Sequence, residues 1–149
     1  MPLIRFFLAD SGGVRFDVDP ARYDRYRPLG AWAMSEIGKH AGVVLDGLAM
    51  VDDAAAGRPV EPWTSASYDV VIDASGIRFR NHFADSEQGA YSLDELRQVL
   101  EDYWRFLAAI PETPGAFREY SPELPLPEAE VLLWEKVWGR AHPYRGRLF

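Results

Sequence analysis

The sequence predicts an α+β fold: two antiparallel β-hairpins forming one sheet, covered by two main helices, with a Pro-rich arm and a short C-terminal helix on the outside. Three observations lead there. Two stretches alternate apolar and polar residues about a short Asp/Ser/Gly turn, and each is followed by apolar residues recurring at steps of three and four. After Ile110 that periodicity gives way to Pro111, Pro114, Pro122, Pro125 and Pro127. The expected organisation is one domain over 1–149, with a core at 1–110 and an arm, short helix and basic tail at 111–149.

At the start, Ile4, Phe6 and Leu8 alternate with Leu3, Arg5 and Phe7, and the alternation resumes after Asp10-Ser11-Gly12-Gly13 with Val14, Phe16 and Val18. Bringing the apolar sets to one face requires Leu8 opposite Val14 and Phe6 opposite Phe16. The loop must then be odd, as in Asp10-Ser11-Gly12, with glycine in a left-handed position. The outer face pairs Arg5 with Asp17. Residues 19–27, with Tyr23 and Tyr26, read as a short helical turn or an irregular crossover ended by Pro28.

From residue 29 to about 56 a long helix is expected on Leu29, Trp32, Ala33, Ile37, Val44, Leu45, Leu48 and Val51. Gly30, Gly38, Gly42 and Gly47 each cost it about 1 kcal/mol relative to alanine. A helix carrying them packs closely on a neighbour or breaks near Gly42. Gly57-Arg58-Pro59 ends it, and a linker containing Trp63 follows.

The second hairpin turns at Asp73-Ala74-Ser75-Gly76, pairing Ile72 with Ile77, Val70 with Phe79 and Tyr68 with Asn81 on an apolar face. The other face opposes Val71 to Arg78, Asp69 to Arg80 and Ser67 to His82, and opposite charges across a ladder contribute roughly 0.2–1 kcal/mol. A polar loop, 84–91, leads to Ser92 and Glu95, which have capping-box spacing. Leu93, Leu96, Leu100, Tyr103, Leu107 and Ile110 mark the buried stripe of the helix, expected to pack on the apolar hairpin face. Pro111 stops it. Trp104 lies off the stripe and is expected to cover the Pro-rich segment or a partner. Pro127 opens the last helix, Gly139 caps it, and 140–149 read as a basic tail.

Composition narrows the functional classes. The chain has 149 residues, no cysteine and a formal charge of −7, so neither a disulfide framework nor a thiolate zinc site can form. A cysteine-free chain with no signal-peptide pattern and no apolar run of membrane length is expected to be cytoplasmic and soluble, without a membrane partner. The acidic balance argues against a nucleic-acid partner, which needs a basic face. Charge is unevenly spread. Residues 84–102 carry five net negative charges, 111–130 four net negative, and 131–149 three net positive.

No motif announces catalysis. His40, His82 and His142 lack the spacing of a metal site, Ser75 lacks a nucleophile elbow, and Gly12-Gly13 is too short for a phosphate loop. No cofactor is expected. An enzyme or ligand-binding alternative would use His82, Asp73 and Glu87 as a general-base or phosphate-handling cluster. In its overall architecture, the acidic, cysteine-free α+β chain without a catalytic signature resembles the small bacterial immunity proteins that neutralise polymorphic toxins. That resemblance implies a non-catalytic inhibitor of a basic toxin domain. Contact is then expected through Asp85 and Glu87 before the capped helix, and through Glu119, Glu123, Glu128 and Glu130 along the arm.

Overall fold

The computed structural model describes residues 2–112 and 118–148. The stretch 113–117 of the arm, with Pro114, lies outside the described residues. The fold is α+β, with five α-helices and two small antiparallel sheets among the described residues.

The first hairpin, β1 (Arg5–Leu8) and β2 (Val14–Asp17), has the register that the alternation requires: Leu8 opposes Val14, Phe6 opposes Phe16, and Arg5 forms an ion pair with Asp17. Gly12 takes the left-handed turn position at φ +86°. The second hairpin, β3 (Tyr68–Asp73) and β4 (Gly76–Asn81), also pairs as expected from Ile72 with Ile77 out to Tyr68 with Asn81. Two side chains choose other partners. Asp69 meets His82 Nε2 at 2.9 Å rather than Arg80, and Arg78 turns back to Asp73 at the turn.

The hairpins do not join into one sheet. β5 (Gln88–Tyr91), inside the stretch expected to be loop, pairs with β4 and completes a three-stranded sheet in the order β3-β4-β5. The first hairpin is instead held by helices, because its apolar face is satisfied there. Phe6 lies 4.4 Å from the Tyr103 ring, and Phe16 presses on Gly30, where a Cβ would stand 2.5 Å from its ring.

The long helix is two helices. A 3-10 turn, Pro20–Arg22, runs directly into α1 (Tyr23–Ile37), which continues through Pro28 instead of stopping there. A proline inside a helix forfeits a backbone hydrogen bond. Here side-chain bonds fasten the same turn: Arg25 and Tyr26 to Glu95, and Arg27 to Glu87. The break spans 38–40, just before Gly42, and turns at Gly38. Gly38 has φ +55°, a conformation that favours glycine, and its carbonyl accepts from the Tyr103 hydroxyl at 2.5 Å. α2 (Ala41–Ala55) follows.

α3 (Leu93–Ala108) opens with a complete capping box, Ser92 Oγ accepting from the Glu95 N–H at 3.0 Å and Glu95 accepting from the Ser92 N–H at 2.9 Å. Its stripe of Leu96, Leu100, Tyr103 and Leu107 is buried. The principal surface it meets is α2, with β1 and β4 as lesser partners, so the expected seat on the second hairpin is only part of its packing. Trp32, stacked on Phe79 at 5.5 Å, ties α1 to the sheet.

α4 (Leu126–Trp138) packs on α2 and is capped by Gly139. The basic tail packs back on the helices as far as residue 148. His142 is buried, and α5 (Arg145–Leu148) lays Leu148 against α3, where the Leu148 carbonyl accepts from Trp104 Nε1 at 3.0 Å. Trp104 is therefore buried against the C-terminal segment, and it also lines a depression shared with Pro111 and Glu112 at the start of the arm. Arg147 reaches the buried Glu101, which also meets Arg97. None of the helices among the described residues is long and apolar enough to cross a membrane.

Candidate functional site

The residues expected to act together do not converge. Asp73 lies at the turn and His82 just beyond the other end of β4, about 20 Å apart at roughly 3.3 Å per residue. Asp73 is engaged by Arg78 and then by Ser75, contacts that hold its carboxyl well below the usual carboxylate range. Glu87 turns its carboxylate to Arg27 at 2.9 Å. His82, Asp73 and Glu87 thus engage three separate partners, Asp69, Arg78 and Arg27, the first two on the solvent side of the sheet and the third against α1.

The six expected contact acids divide by environment. Asp85, Glu119 and Glu123 are exposed and make no ion pair among the described residues. Glu128 is half-buried in the first turn of α4, where the helix dipole favours a carboxylate. Glu87 is occupied by Arg27. Glu130 accepts from the Tyr120 hydroxyl at 2.5 Å, and burial together with that bond pushes the Tyr120 phenol up to about 12. Tyr120–Glu130 and the hydrogen bond from Arg118 to the Leu124 carbonyl fold the arm's end back onto α4, closing the turn that carries Glu119 and Glu123.

A second feature escapes sequence reasoning. Three depressions sharing walls form a groove over α2, bounded by α4 on one side and by the linker containing Trp63 on the other. The largest, about 450 Å³, runs from Lys39 past Glu130 to Trp138. The next, about 290 Å³, lies between Glu36, Asp46, Glu61, Trp63 and Trp138. Trp138 is 46% exposed and Val137 72% exposed on the outer side of α4. Trp134 is buried beneath them, its indole N–H donating to Asp46 Oδ1 at 2.9 Å and its ring 4.5 Å from His142.

Comparison with protein-family models, with curated proteins and with solved structures finds no match. Function has to be argued from the chain itself.

Its acidic and basic groups are distributed in a telling way. Among the described residues, twelve of the fourteen arginines form ion pairs. The excess negative charge is left on carboxylates without a basic neighbour. Among the described residues these include Asp85, Glu119, Glu123 and Glu128; Glu61 makes no ion pair although it lines the groove together with Arg140, and Glu36 and Asp46 hydrogen-bond only to indole N–H groups. The arrangement can attract and seat cationic groups. Among the described residues no three His, Asp or Glu side chains assemble as a metal site.

Proposed function

We propose that this chain is a non-catalytic protein-binding module whose acidic surface engages a basic protein, in the manner of a bacterial immunity protein that masks the active site of a toxin domain. The observation that supports it is the internal consumption of arginine. With most of the arginines held in ion pairs, Asp85, Glu119 and Glu123 project uncompensated charge, and such charge accelerates encounter with a basic surface and orients it. The segment 118–124, closed by the Leu124 N–H on the Ser121 carbonyl and by Arg118 on the Leu124 carbonyl, holds Glu119 and Glu123 in a preformed display. Preformed segments lose less conformational freedom on association.

The test is kinetic. A basic protein captured from the cell of origin with the full-length chain is purified, and its association is followed by stopped flow at two ionic strengths. The rate constant is expected to fall as salt rises, and to fall several-fold in the Glu119→Lys/Glu123→Lys variant. A rate indifferent to both salt and charge reversal would rule out the acidic surface as the means of recognition.

A further inference from the structure

The pocket of about 290 Å³ between α1, α2, the linker and α4 carries three carboxylates, Glu36, Asp46 and Glu61, and its lining among the described residues includes no basic side chain. Two of these carboxylates are fixed by tryptophan. The Trp63 indole donates to Glu36 Oε1 and the Trp134 indole to Asp46 Oδ1, both at 2.9 Å. Each acid therefore keeps its second oxygen without a hydrogen bond among the described residues. Trp63 is itself wedged against the core Trp32 ring at 4.9 Å, so the acceptors and the aromatic wall are set before any ligand arrives. Val43 and Met50 supply an apolar floor, and the exposed Trp138 closes one side.

The adjoining end of the groove already holds a guanidinium. Arg140 lies 5.2 Å above the Trp134 ring centre and 3.7 Å from Asp53, and Asp46, Met50, Glu61 and Trp138 border both compartments. The fold thus seats its own arginine by the combination, an indole face and a carboxylate, that the open compartment presents unfilled.

We infer that this pocket is the docking site for an arginine side chain of the partner. The inference rests on the protein-binding reading above and identifies the group recognised. Arginine fits better than lysine. Its planar fork can donate to two separated carboxylates at once, it stacks on indole, and it sheds water more readily than an ammonium. Its aliphatic stem would lie along Val43 and Met50.

The experiment uses the full-length, ¹⁵N-labelled chain and reads the indole N–H resonances of Trp63 and Trp134. The probes are a capped Gly-Ser-Arg-Ser-Gly peptide, the same peptide with citrulline, which keeps the shape but loses the charge, and free L-arginine. The arginine peptide is expected to shift both resonances saturably, with the citrulline peptide about tenfold weaker or more, as loss of a charge-assisted hydrogen bond implies. Asp46→Asn and Glu36→Gln keep the oxygen that accepts from each indole and so preserve the fold, yet each should weaken the arginine peptide about tenfold. Trp138→Ala should weaken it several-fold. Absence of saturation, equal response to citrulline, or indifference to Asp46→Asn would overturn the assignment. So would tighter binding of free arginine than of the capped peptide, which would indicate a small-molecule site. Failure here is separable from failure of the protein-binding reading. If the complex with a basic partner depends on salt and on Glu119 and Glu123 but its lifetime ignores Asp46→Asn and Trp138→Ala, the arginine site alone is wrong. If the peptide binds as expected while association ignores salt and charge reversal, the acidic-surface reading alone is wrong.

Discussion

At the contact between α2 and α3, Gly47 faces Leu100. A Cβ built on Gly47 would stand 3.0 Å from Leu100 Cδ1, 3.4 Å from the Trp63 ring and 3.5 Å from Leu100 Cδ2. Leu100 is fully buried. Leu100→Ala should therefore cost about 2–5 kcal/mol, through lost burial and the cavity left behind. At roughly 2–4 °C per kcal/mol for a chain of this size, the midpoint of thermal unfolding should fall by about 10 °C. Gly47→Ala combines opposite effects. The helix gains about 1 kcal/mol of propensity, and crowding against Leu100 costs about 1–3 kcal/mol, so the net should be mildly destabilising.

The two substitutions should not add. With Leu100 shortened, the methyl group at position 47 loses its closest neighbour and moves into the vacated space, so the propensity gain survives. Gly47→Ala should then stabilise the Leu100→Ala protein by about 1 kcal/mol, a coupling of roughly 1–3 kcal/mol between residues in contact. Urea unfolding of the four proteins, the wild type, both single variants and the double variant, measures this directly. Additivity within about 0.5 kcal/mol would mean that Leu100 does not set the space at Gly47, and the α2–α3 packing described above would be wrong.

Two further predictions concern the ends of helices. Ser92→Ala removes the acceptor that binds the Glu95 N–H and should lower stability by about 0.5–2 kcal/mol, seen as a lower urea midpoint at unchanged slope; an unmoved midpoint would mean that Ser92 does not stabilise the α3 start. His142 meets the Leu45 carbonyl through Nε2 at 2.9 Å and accepts the Tyr144 N–H at Nδ1, and burial lowers its pKa from the ordinary value near 6.5. Because the unfolded chain takes up this proton more readily than the folded one, the stabilisation is complete above about pH 6.5 and is lost as pH falls from there toward the lowered folded value. Wild type should consequently lose more stability than His142→Gln between pH 7 and 5, and parallel profiles would contradict the neutral, buried histidine.

Both hairpin registers were legible in the sequence because side chains alternate with a period of two, and the parity of each turn admits only one pairing that places all apolar residues together. β5 was hidden for the opposite reason. Gln88-Gly89-Ala90-Tyr91 contains no β-branched residue and no alternation, and its strand exists because β4 offers it an edge. The break in the long helix was legible in its neighbourhood and not in its turning residue. Four glycines offered themselves, and the distinction between Gly38 and Gly42 comes from Tyr103, 65 residues away, whose hydroxyl binds the Gly38 carbonyl. Pro28 misled in the same manner, since the bonds that offset its missing N–H reach to Glu87 and Glu95.

Charge counted along the chain proved a poor guide to where charge is displayed. The window 84–102 holds five net negative charges, yet Glu87, Asp94, Glu95, Glu101 and Asp102 are each paired with an arginine, several of them from distant parts of the chain. Folding therefore cancels much of what the linear count suggests. Glu36, Asp46 and Glu61 form no run at all, being separated by ten and fifteen positions, and still come to line one pocket once the turn at Gly38 folds α2 back beside α1 and α4 docks across it. The one local signal was aromatic: Trp134 and Trp138 are four apart on one helix, with Trp63 alone in a linker next to Glu61. A buried tryptophan usually finds a partner for its N–H, and although Trp32 has none among the described residues, carboxylates serve for both Trp63 and Trp134. That pairing explains why acids occupy these positions beside an apolar groove, and because each indole engages only one oxygen of its carboxylate, it leaves the second oxygen available to a cation from outside.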